Sequence, residues 1–288
     1  MKSSVDEWGR GRTLSVRVLA VLGILTFNFM FLLVALDPTG HTGRAAEPVP
    51  AGSAEARSGA DHPGEAIHVV GALGAVAIAT TGLIGLVARP RADGPALQAG
   101  AAALGSIVTV VVMGDPDNHG GQAGPVDLVF LVMAMPVLAA AVAAAPWRRW
   151  RRGRGSGRPH LLVLAALALP ASWFGVEQAL IQRNTWPPLA DPHHQSHWYA
   201  MAVLALMVVP VVAGAALAGR GWRVATTATG GVVAAVAVAS LVAPAAASAL
   251  HPGWAAAGLV WAAVLLGLTW KAPGLPAVAR RPAAGARS

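Results

Sequence analysis

Along this chain, apolar residues come in long blocks separated by short polar segments. Eight blocks stand out, at roughly 14–36, 66–88, 96–114, 125–145, 160–182, 197–219, 224–247 and 254–271. Each is close to the ~20 apolar residues that a helix needs to cross a bilayer. Most are rich in Ala, Val, Leu and Gly, and the small residues let helix backbones approach closely. The pattern predicts an all-α polytopic membrane helix bundle of eight transmembrane helices. The apolar core of the first block is about twice the 7–15 residues usual for a secretory leader, and it is expected to stay as an anchor helix. Pro136, Pro170, Pro210 and Pro244 fall inside four blocks, where ordinary kinks are expected.

The polar segments carry a second regularity. The second block opens on Asp61-His-Pro-Gly-Glu-Ala-Ile-His68 and the sixth on Ala190-Asp-Pro-His-His-Gln-Ser-His197. Aligned on Pro63 and Pro192, both give Pro-x-(Glu/His)-x-x-His. Likewise His119-Gly-Gly, between the third and fourth blocks, answers His251-Pro-Gly, between the seventh and eighth. The offsets of 129 and 132 residues keep a nearly constant register. Two tandem four-helix repeats in parallel orientation are therefore expected, an architecture known among membrane proteins. The first would occupy 1–145, with a mobile outer loop over 37–61 that is rich in Pro, Gly, Ala and Glu. A basic linker over 146–159 would lead to the second repeat, 160–271, followed by a disordered cytoplasmic tail over 272–288.

Charge adds orientation. With the N-terminus inside, the inner segments hold 18 Lys and Arg residues and the outer ones only Arg44, Arg57 and Arg183. This bias places both termini in the cytoplasm and makes the chain a multi-pass protein of the cell membrane. The net charge of +8 then reports topology and attraction to anionic headgroups of the lipid bilayer, not binding to nucleic acid. The run Trp147-Arg-Arg-Trp-Arg-Arg-Gly-Arg is the clearest inner-leaflet anchor. There is no cysteine, so disulfides, thiolate metal sites and CxxC redox chemistry are excluded. Any metal must be held by nitrogen and oxygen, which suits Fe, Zn or Cu(II).

Histidine supplies the candidate chemistry. Eight of the nine, His41, His62, His68, His119, His193, His194, His197 and His251, fall in the outer segments, and His160 stands alone at an inner boundary. Asp191 before Pro192 is a good cap for a helix start, and Pro63 suits the first turn of another. Glu65 and His68 are three residues apart, as are His194 and His197, while His193 and His197 are four apart. Each pair shares a helix face. Glu-x-x-His arms from two helices are how some four-helix bundles hold two metal ions. The candidate ligands are Glu65, His68, His119, Asp191, His193, His194, His197 and His251. The string from His193 to His197 resembles the histidine boxes of membrane di-iron desaturases and hydroxylases. Those families carry several boxes on the cytoplasmic side, so the likeness is one of chemistry and not of kinship. Glu177, about 24 Å of helix rise from the inner end of its block, is expected to face a polar interior as a general base or as the partner of a metal ligand.

The function expected from this pattern is a metal-dependent membrane oxidoreductase with an outward site for a transition metal (Fe, Cu or Zn), served by a redox or accessory protein partner. Three alternatives stay open. One is a metal transporter, which the scarcity of polar groups in the inner halves of the blocks disfavours. Another is a metal or cofactor assembly factor. The third is a haem b protein in which His68 and His197 are axial ligands.

Overall fold

The computed structural model describes residues 2–36, 63–113, 125–145, 158–184, 197–218, 220–245 and 248–271. The expected mobile loop, nearly all of the basic linker and the tail lie outside them, as do His119, Asp191, His193 and His194. The described residues are helical with no strand. In chain order the helices are α1 (Lys2–Leu36), α2 (Pro63–Ala88), α3 (Asp93–Met113), α4 (Pro125–Ala144), α5 (Pro159–Leu167), α6 (Leu169–Asn184), α7 (His197–Leu217), α8 (Trp222–Val242) and α9 (Pro252–Lys271). Four of them open on proline, whose missing N–H has no partner in a first turn anyway.

Seven stretches are long and apolar enough to cross a membrane: Gly9–Phe29, Val69–Ala88, Asp93–Met113, Pro159–Ile181, Trp198–Leu217, Trp222–Val242 and Pro252–Lys271. Within α4 the apolar helix Leu131–Ala144 is shorter. The prolines behave differently from one another. α4 runs through Pro136 and α7 through Pro210, whereas Pro244 follows the end of α8. The Pro159–Ile181 stretch breaks between α5 and α6, just before Pro170, which has no N–H to continue the helical ladder. Ala168 N–H bonds to both Leu164 O and Ala165 O, and Leu164 O also accepts Trp261 Nε1–H at 2.9 Å, which ties α9 to the break.

Neighbouring helices pack through small residues. α1 lies antiparallel to α2 and α4, with Gly23 against Leu83 and Val137. α3 packs on α2, α4 and α7, and α6 packs on α7 and α3. α8 packs on α9, α2 and α7. Gly105 of α3 and Gly175 of α6 meet the same stretch of α7, where added Cβ atoms would stand 3.1 Å from Val203 O and Ala202 O. α2 and α7 run parallel: Gly71 lies beside Met201 and Gly74 beside Leu204, 130 residues apart in both cases.

One end of the bundle is closed by arginines. The ends of α2, α4 and α7 gather there with the starts of α3, α5 and α8, and Gly94 N–H bonds to Arg220 O at 2.9 Å. The last carbonyls of a helix have no partner within it. Arg12 donates to Ala143 O and Ala145 O at the end of α4, and Arg17 to Val87 O at the end of α2. Arg158 donates to Ala215 O and Ala218 O at the end of α7. Its guanidinium also stands 4.4 Å above the Trp222 ring, with Arg223 5.6 Å from the same ring. Burial, and after it the charge of Arg223, holds the Arg158 pKa below the ordinary arginine value.

Candidate functional site

The starts of α2, α4, α7 and α9 lie at the end opposite the arginines, so the backbone positions of Glu65, His68, His197 and His251 share one end of the molecule. Two of these positions sit on packed helices. Residue 68 comes three residues before Gly71, and residue 197 four before Met201, at the point where α2 and α7 touch. The side chains of Glu65, His68 and His197 lie outside the described ones.

His251 is described, and its surroundings differ from the expectation. It is exposed, and its Nδ1 accepts the Gly253 backbone N–H at 3.3 Å, so the imidazole caps the first turn of α9. Leu250 N–H bonds to Ser240 Oγ at 3.1 Å, which fixes the turn against the end of α8. α9 packs chiefly on α8, and α8 in turn packs on α2 and α7. His251 is therefore set one helix layer away from the α2–α7 contact.

Glu177 also departs from its expected surroundings. It is exposed, on the side of α6 away from Gly175 and Ala179, which pack inward. The polar side chain that enters the interior here is Gln178, 4% exposed, whose Oε1 has no hydrogen-bond donor among the described residues. One residue along a helix turns the side chain by about 100°, and that rotation separates a buried amide from an exposed carboxylate. Among the residues whose side chains are described, no group of three His, Asp or Glu side chains comes together.

Several interior polar contacts escaped the sequence reading. Gln98, 1% exposed, donates Nε2–H to Ile78 O at 2.7 Å and to Thr81 Oγ1 at 2.6 Å, joining α3 to α2. Thr80 donates to Asn28 Oδ1 at 2.7 Å, and Thr269 to Thr226 Oγ1 at 3.0 Å. A glutamine inside the Ala-rich third block was the available signal, because amides within membrane helices bond across to neighbours. Comparisons of the chain with protein-family models, with curated proteins and with solved structures found no match.

Proposed function

We propose that the chain crosses the membrane eight times with both termini in the cytoplasm, and that its outward end holds a transition metal for a membrane oxidoreductase. The observation that carries the metal reading is the parallel α2–α7 contact. Three- and four-residue spacings return to the same helix face, so positions 68 and 197 lie on the faces that Gly71 and Met201 turn toward each other. The 130-residue separation of both contacts is close to the 129-residue offset of the Pro63 and Pro192 motifs, which supports the tandem repeat as well. Equivalent positions meeting at equal height are what a two-fold relation between the halves requires.

In this reading His68 and Glu65 form one arm, and His194 and His197, with His193, the other. Asp191 caps the second arm and His119 approaches from the adjoining loop. A metal held there would supply redox or Lewis-acid chemistry. Fe and Cu suit an oxidoreductase, and Zn would suit hydrolysis. His251 keeps its capping role, and Glu177 stands outside the site. The close approach at Gly71 favours a metal ion over a haem b plane between α2 and α7.

Elemental analysis of the purified protein tests the proposal. His68→Ala and His197→Ala are expected to lower bound metal several-fold without lowering the thermal midpoint. Equal metal content in wild type and both variants would overturn it. A haem Soret band lost in both variants would replace it with the haem reading, and a metal that the protein passes on without turnover would mark an assembly factor.

A further inference from the structure

The face of α6 that carries Glu177 is apolar apart from this one carboxyl. Trp173 is 73% exposed, Leu180 40% and Leu169 57%, and all three share the outward side of α6 with Glu177. Glu177 lies seven residues before the end of α6, about 10 Å along the helix axis. Helical side chains lean toward the helix N-terminus, so this one leans back toward the middle of the bilayer and away from the nearer interface. It has no hydrogen-bond or ion-pair partner among the described residues. Acidic groups within membrane segments normally face a bundle interior or pair with another polar group. The exposed charged side chains within the other spans stand at or near the arginine end, as Arg12 and Arg17 do on α1, where they donate to Ala143 O and Val87 O. Glu177 thus lies inside a span on a face where burial within this chain cannot satisfy it.

We infer that this face of α6 docks a transmembrane helix of a different protein, one that presents an arginine or lysine at the depth of Glu177. Opposite charge selects the occupant. A cation brought against the carboxyl inside the bilayer pairs two groups that would each be poorly solvated alone, and Trp173 and Leu180 give the helix an apolar seat. A second copy of this chain fits less well, because Arg12 and Arg17 lie at the arginine end, level with Ala143 and Val87 at the ends of α4 and α2, and Arg183 stands one residue before the end of α6, so none is at the depth of Glu177.

The absence of cysteine makes the test clean, since Ser156→Cys, outside α6, gives a single labelling position. The full-length protein, labelled there with a donor dye, would be reconstituted in vesicles. Acceptor-labelled synthetic transmembrane peptides would be added, one Leu/Ala-rich helix with a single arginine at the depth of Glu177 and one with leucine in its place. The arginine peptide is expected to associate about tenfold more strongly than the leucine peptide. Glu177→Leu should bring it down to the leucine level, and Glu177→Asp should keep most of the difference. Equal association of both peptides with the wild type would overturn the proposal, as would a difference that survives Glu177→Leu. Energy transfer between labelled copies that excludes the arginine peptide would overturn it in favour of self-association. None of these outcomes depends on bound metal, so the test stands apart from the proposed oxidoreductase site.

Discussion

Gly94 lies at the closest backbone approach at the arginine end. An added Cβ would stand 2.5 Å from Arg220 O and 2.8 Å from Gly221 C, both main-chain atoms that cannot swing aside. Gly221 itself adopts φ +80°, a left-handed conformation that favours glycine, so the turn it forms has little freedom to move. Gly94→Ala is expected to destabilise the protein by roughly 1–3 kcal/mol, as overpacking does elsewhere. Gly231→Ala meets nothing within 4 Å and should leave the thermal midpoint at or slightly above wild type. Thermal unfolding of the two variants in the same detergent checks the contrast. A comparable change in both would show that backbone crowding at Gly94 does not set the cost of the substitution. Neither glycine is distinguishable in sequence from the other glycines of its helix, because closeness to a distant segment leaves no local mark.

The helices themselves were more legible than their neighbours. Six of the expected blocks lie within about five residues of the observed spans, as 96–114 does against Asp93–Met113 and 254–271 against Pro252–Lys271, whereas 14–36 meets Gly9–Phe29 and 125–145 meets only the shorter apolar helix Leu131–Ala144. A long apolar stretch has only the helix as a way to satisfy its backbone in lipid. The break before Pro170 was among four proline positions, and only structure separates it from Pro136 and Pro210, which their helices absorb. The arginines had a topological explanation, yet Arg12, Arg17 and Arg158 also fill the open carbonyl ends of three helices. Arg158→Ala is expected to cost about 1–3 kcal/mol through the lost charged hydrogen bonds and the stacking on Trp222, with Arg158→Lys falling between. Unfolding midpoints of the two variants check the order. A lysine equal to arginine would show that charge alone matters at that corner.

At the scale of the whole molecule, the cysteine-free background makes orientation and the eighth crossing directly measurable. Ser53→Cys and Gln122→Cys are expected to react with a membrane-impermeant maleimide in intact cells, and Ser156→Cys only after permeabilisation. Labelling of Gln122→Cys from the same side as Ser156→Cys would remove the crossing assigned to α4. Reversed labelling at all three positions would invert the orientation argued from the arginines. The candidate site was legible only as a set of heads: the Pro-x-(Glu/His)-x-x-His motif marked two helix starts, and the fold packs those helices against each other. The motif could not tell that His251 caps its own helix or that Glu177 faces outward.

Sequence by itself determined that the chain is built of long apolar helices, the approximate limits of most of them, and which of their ends collect arginine and which collect histidine. Those properties are local, because apolar length and flanking charge act on each segment separately. Tertiary structure decided which side of each helix is inside. In water an apolar stripe marks the buried face, but here lipid and core are equally apolar, so the pattern of residues carries almost no contrast between them. That is why Gln178 and Glu177, adjacent in sequence, could be assigned to the interior and the exterior only by the packing of Gly175 against α7.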